Sequence, residues 1–137
     1  MKYYIIAGEA SGDMHGANLV AELKKRQPTA EFKGWGGDKM KSEGVEITKH
    51  YKELAFMGFA EVLLNIKTIL GNFKLCKNEI AGYRPDAVIL IDYPGFNLRM
   101  SEFIHSQHIT VFYYISPTVW AWKKNRVYDI KKYVTKL

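Results

Sequence analysis

Three stretches, GEASGD (8–13), IDYPGFN (91–97) and SPTVWAW (116–122), hold most of the residues able to do chemistry. Asp92 closes a continuous apolar run, Ala87 to Ile91, that has the pattern of a parallel strand covered on both faces. A carboxylate at the tip of such a strand sits on a rigid element, and partial burial there would raise its pKa toward that of a useful general base. The competing reading makes Asp92 a helix cap or a lysine partner. Pro94 and Gly95 are expected to turn the chain sharply, and Asn97 to cap the next helix or bind a ligand.

In GEASGD, Gly8 and Gly12 open backbone angles closed to other residues, and Ser11 or Asp13 is placed to cap a following helix. Amide groups at such a helix start would accept a phosphate or a sugar hydroxyl. Glu9 and Asp13 favour the hydroxyl. A tight turn with a capped helix would explain the same residues. The segment is neither GxGxxG nor a Walker loop. GGDKM (36–40) is a further loop of the same kind. In SPTVWAW, Ser116, Trp120 and Trp122 precede Lys123, Lys124 and Arg126, an array that stacks on sugars or bases, or packs against a neighbouring domain. His15, His50, His105 and His108 have no metal-ligand spacing, so no metal site is expected. Cys76 reads as a small apolar filler.

Positioning these residues requires strands that share an edge. Strands are expected at Tyr3–Ala7, Glu31–Trp35, Val45–Thr48, Ala87–Ile91 and Thr110–Ile115, and helices at Ala17–Arg26, Asp38–Ser42, from Phe56 to before Pro85, and from Asn97 to Ser106. NRVYDIKKYVTKL reads as a helix that starts near the chain end. The alternation predicts one α/β domain with a Rossmann-like, mostly parallel sheet flanked by helices. In such sheets, ligands bind outside the carboxyl ends of the strands, where the three loops would meet.

Composition narrows the partners. With 137 residues and 47% hydrophobic content the chain can bury a core, and a net charge of +6 favours an anionic partner. A single cysteine fits a reducing compartment, the N-terminus turns polar too early for a signal peptide, and no apolar run is long enough to span a membrane.

GEASGD, FMGFAEVL (56–63), IDYPGFN and YYISPTVWAW (113–122), in that order, resemble the N-terminal part of the lipid-A-disaccharide synthase family. The resemblance runs from Tyr4 to about Tyr128. It implies that residues 1–137 form the acceptor-side, N-terminal half of a GT-B fold and belong to a longer two-domain enzyme, whose second domain binds most of the nucleotide-sugar. The implied reaction is inverting glycosyl transfer. It joins UDP-2,3-diacylglucosamine to 2,3-diacylglucosamine 1-phosphate, giving lipid A disaccharide 1-phosphate and UDP, with no cofactor and no metal. Asp92 falls on the family's ID-x-P aspartate and is the expected base toward the acceptor 6'-hydroxyl. Some relatives carry a second acid where this chain has Gly95. Gly8, Glu9, Ser11, Gly12, Asn97, Ser116, Trp120 and Trp122 are the expected substrate contacts. The implied location is cytoplasmic, peripheral on the inner face of the inner membrane, without nucleic acid as partner. The fragment alone is expected to be inactive.

Two other readings compete. A nucleotide-dependent oxidoreductase would place GEASGD at the phosphates and Glu31 at the ribose, and NADH binding would reveal it. A basic nucleic-acid module would use Trp120 and Trp122 and would bind oligonucleotides with strong salt dependence. The segment from Phe56 to Lys77 also reads two ways. Phe59, Val62, Leu63, Ile66, Leu70 and Phe73 form one helical stripe that suits a core face. Phe56, Met57, Leu64, Ile69 and Leu75 exceed that stripe, with Lys67, Lys74 and Lys77 suited to anionic headgroups. Met57, Phe59, Leu64 and Ile69 are therefore expected beside the membrane or the acyl chains.

Overall fold

The computed structural model describes residues 1–54, 66–114 and 131–136. Five parallel strands, β1 (Lys2–Ala7), β2 (Glu31–Gly36), β3 (Glu46–His50), β4 (Ala87–Ile91) and β5 (Thr110–Tyr114), form one sheet in the order β3-β2-β1-β4-β5. The chain therefore forms the α/β, Rossmann-like sheet flanked by helices that the alternation implies. Strands β1 and β4 lie side by side, with Ala7 opposite Ile91, and β5 joins β4 with Tyr114 opposite Ile91. From β1 the chain winds toward β3, and from β4 it winds the other way to β5, so the order reverses between β1 and β4.

Side chains alternate across the sheet and supply two cores. Tyr3, Ile5, Ala7, Ile89 and Ile91 face helices α1 (Ala10–Arg26) and α2 (Asp38–Ser42). Tyr4, Ile6, Trp35, Val88 and Leu90 face α3 (Ile66–Tyr83) and α4 (Pro94–Ser106). All of β4 is buried, as its unbroken apolar run demands.

Helix α1 begins at Ala10, well before the expected Ala17. Gly12 and Gly16 are poor helix formers, yet the missing side chains let α1 lie directly on the sheet. A Cβ on Gly12 would meet Ala7 at 3.2 Å, and one on Gly16 would meet the Met40 sulfur at 2.7 Å and Ile91 at 3.1 Å. Close packing outweighs the propensity cost of about 1 kcal/mol per glycine.

Helix α3 departs from the expected core stripe. Its buried face is Asn72, Cys76 and Ile80, while Ile66 and Leu70 are 53% and 61% exposed. A polar anchor sets this rotation. The Glu79 carboxylate accepts hydrogen bonds from the Tyr4 hydroxyl (2.6 Å), the Thr48 hydroxyl (2.7 Å) and the Trp35 indole nitrogen (3.2 Å), tying α3 to three strands. Counting apolar residues cannot reveal such an anchor. Burial pushes the Tyr4 phenol and the Cys76 thiol well above their ordinary pKa values, so Cys76 is the inert filler its sequence context suggests.

The terminal segment also corrects the sequence reading. Its helical turn ends at Tyr133, and Thr135 and Lys136 then run beside β5, the Tyr113 amide donating to the Lys136 carbonyl at 2.8 Å. The β-branched pair Val134-Thr135 suits this edge better than a helix.

Candidate active site at the β1 and β4 tips

The carboxyl ends of β1, β4 and β5 share one edge, so the loops after β1 and β4 meet at the reversal of strand order, where ligands bind in open α/β sheets. The contact is direct. The Tyr93 ring lies against Gly8, where an added Cβ would fall 2.5 Å from two ring carbons. Gly8 is thus required by a close approach of the two loops.

Asp92 and Tyr93 make the turn from β4 into α4, and both adopt left-handed backbone angles, φ 44° and 50°. Pro94 and Gly95, expected to turn the chain, are instead the first residues of α4, where a proline's fixed φ suits the opening turn. A tyrosine in the left-handed region costs about 1–3 kcal/mol, and such strain persists only where surroundings over-determine it. Here the surroundings grip the Asp92 backbone. Its carbonyl accepts hydrogen bonds from the Tyr113 hydroxyl at 2.6 Å and from Asn97 Nδ2 at 2.8 Å. Its amide donates to the Tyr114 carbonyl at 3.3 Å. The Asp92 carboxylate itself, half-buried, makes no hydrogen bond or ion pair among the described residues.

Asn97 is fully buried, and its Nδ2 also reaches the carbonyls of Ile91 (3.3 Å) and Ile6 (3.4 Å). It bridges the ends of β1 and β4 from within α4, a bracing position and neither the helix cap nor the open ligand contact expected from sequence. Its Oδ1 has no hydrogen-bond partner among the described residues. The Tyr93 phenol is held above its ordinary pKa by burial and then by the nearby Glu9 charge, so it stays a protonated donor at neutral pH.

Around this turn, Glu9 and Ser11 are exposed at the start of α1, and Gly12 is buried beneath them. Neither Ser11 nor Asp13 caps α1. Asp13 is buried and caps α2 from a distance, accepting hydrogen bonds from the amides of Gly37 (2.8 Å), Met40 (3.0 Å) and Lys39 (3.1 Å). Its carboxylate is therefore spent on structure, which corrects its reading as a sugar contact. Ser116, Trp120 and Trp122 lie outside the described residues, as do Met57, Phe59 and Leu64. Ile69 is half-buried on α3, and with Phe73 and Arg99 it lines a cavity next to Tyr93. Sequence reasoning missed Tyr93 and Tyr113. A hydroxyl one residue from the end of β5 was the available signal for Tyr113, whereas the left-handed Tyr93 has none.

A model of the lipid-A-disaccharide synthetase family matches residues 3–137. The chain belongs to that family. It is 42% identical over 133 residues to the lipid-A-disaccharide synthase of Myxococcus xanthus and 44% identical over 133 residues to that of Syntrophus aciditrophicus, in each case covering 97% of this chain and 35% of the relative. It thus spans about a third of the length of the curated relatives it matches. Among solved structures, the UDP-GlcNAc 2-epimerase of Neisseria meningitidis bound to UDP-GlcNAc aligns with a TM-score of 0.61 at 17% identity, covering 94% of this chain and 38% of that one. A structure described as a UDP-N-acetylglucosamine 2-epimerase from Listeria monocytogenes aligns at 0.59 and 17% identity, covering 90% and 32%. These two likenesses are of fold. No described helix of this lipid-A-disaccharide synthetase family member is long and apolar enough to cross a membrane.

Proposed function

We propose that this chain is the acceptor-side domain of an inverting glycosyltransferase that joins UDP-2,3-diacylglucosamine to 2,3-diacylglucosamine 1-phosphate, with Asp92 as general base. One observation carries the assignment of the base. The backbone of Asp92 is clamped in a strained turn at the reversal of strand order, and its carboxylate has no hydrogen-bond or ion-pair partner among the described residues. Strain kept at a ligand-binding edge is a pointer to function.

In this reading the acceptor 6'-hydroxyl gives its proton to Asp92 as its oxygen bonds to the donor anomeric carbon. The bond from that carbon to UDP breaks with its electron pair, and the configuration inverts. Glu9, Ser11 and the Gly8 backbone border the same edge and suit hydroxyl contacts, and Ser116, Trp120 and Trp122 follow β5 in sequence. UDP binding belongs to a second domain beyond these residues. Exposed Ile66, Leu70 and Leu75 on α3, beside exposed Lys67, Lys74 and Lys77, support peripheral contact with an anionic membrane on its cytoplasmic face.

The test is Asp92→Asn in the full-length enzyme. The nearly isosteric amide cannot take the proton, so kcat should fall about 10²–10⁴-fold with KM little changed. Turnover near that of the unaltered enzyme would refute the assignment.

A further inference from the structure

Helix α3 buries one polar side chain that the fold does not use. Asn72 is 6% exposed and makes no hydrogen bond among the described residues. Its nitrogen and oxygen are therefore available to a ligand that reaches them. It lines a cavity of about 300 Å³ that Tyr93 also lines. Ile69, Phe73, Phe96 and the Tyr93 ring make most of the wall apolar and aromatic. Phe73 and Phe96 stack at 4.5 Å between centroids, and Tyr93 tilts against Phe96 at 5.6 Å. The exposed Arg99 lines the same cavity with its guanidinium 6.0 Å from the Phe73 ring centre.

We infer that this cavity binds an acyl chain through its carbonyl group, with Asn72 as the residue that reads the amide or ester and Arg99 as the contact for an anionic group on the same molecule. The chemistry is complementary part by part. Nδ2 of Asn72 donates to an acyl carbonyl, Oδ1 accepts from an amide N–H, and the rings of Phe73 and Phe96 cover the first methylenes. The rest of the chain leaves past Ile69 toward exposed Ile66 and Leu70, which then have an apolar partner. Tyr93 both lines the cavity and follows Asp92, so an acyl group held here keeps its sugar beside the base. This inference rests on the glycolipid reading above and assigns the residues that would select acylated over bare sugar.

The experiment follows the Asn72 side-chain amide signals of the ¹⁵N-labelled chain during titration. The probes are N-decanoylglucosamine 1-phosphate, glucosamine 1-phosphate and N-methyldecanamide. Both acyl probes should shift the Asn72 signals, and glucosamine 1-phosphate should not. Asn72→Leu should weaken both acyl probes roughly three- to tenfold while leaving glucosamine 1-phosphate unchanged. Arg99→Gln should weaken the acylated phosphate and spare N-methyldecanamide. Unshifted Asn72 signals with both acyl probes would overturn the inference, and that readout needs no variant to fold. A response to N-methyldecanamide alone would uphold the acyl site and count against the glycolipid reading.

Discussion

Replacing Gly8 by Ala tests whether the turn that presents Asp92 is built by contact between the β1 and β4 loops. The added Cβ would lie 2.5 Å from two carbons of the Tyr93 ring and 2.6 Å from a third. Carbon atoms normally sit about 3.5–4.0 Å apart, so the ring must retreat by about 1 Å. It has little room. Phe96 lies behind it at 5.6 Å, held in turn by Phe73 at 4.5 Å and Trp35 at 5.3 Å. Overpacking of this kind costs about 1–3 kcal/mol, which for a domain near 150 residues lowers Tm by roughly 2–12 °C. Thermal unfolding of Gly8→Ala, Tyr93→Ala and the double variant isolates the contact. With the ring gone, Gly8→Ala should cost under about 0.5 kcal/mol, giving a coupling of about 1–3 kcal/mol. In the full-length enzyme, Gly8→Ala should also lower kcat, because a displaced Tyr93 drags the neighbouring Asp92. A Gly8→Ala variant as stable as the parent, or equally costly in both backgrounds, would refute the contact as the builder of the turn.

Asp13→Ala should destabilise the chain by about 2–4 kcal/mol in urea unfolding and speed hydrogen exchange at Gly37 and Met40, since it orphans buried amides that the carboxylate accepts. Exchange unchanged at both amides would contradict the cap. In alkali, Tyr4 and Cys76 have folded pKa values raised by burial above their ordinary 10.0 and 9.0, and Tyr83 is raised to about 12, first by burial and then by Glu31. Raised values mean the folded state keeps protons that the unfolded state gives up. Stability is therefore complete below about pH 9 and declines as pH rises beyond it, and unfolding followed by circular dichroism should coincide with tyrosinate absorbance. Ile66→Ser with Leu70→Ser removes only exposed surface, so Tm should hold while binding to anionic vesicles weakens. Unchanged vesicle binding would place the membrane contact elsewhere.

The strands β1, β2, β4 and β5 were legible within a residue or two because continuous apolar runs between turn residues leave few alternatives. The same local signal ordered the elements into an α/β sheet and put Asp92 at a strand tip. Helix α1 was half missed, since its glycines count against a helix until the sheet beneath them is known. Rotation of α3 was misread for a related reason: apolar spacing treats Ile66 and Leu70 as core, whereas the three hydrogen bonds to Glu79 decide which face turns inward.

The sequence by itself determined the alternating elements, the parallel sheet and the family motifs, because each depends on the types of residues near one another along the chain. Only the tertiary structure decided the working parts of the site. Asp92 and Tyr93 hold left-handed angles because Asn97 in α4, Tyr113 in β5 and Gly8 after β1 surround them. Asp13 serves α2 rather than its own helix, and Asn72 faces a cavity rather than solvent. Apart from the Asn97–Asp92 hydrogen bond, each depends on contacts between residues far apart in sequence. Such contacts form only once the strands and helices have assembled around one sheet, and no window of local sequence contains both partners.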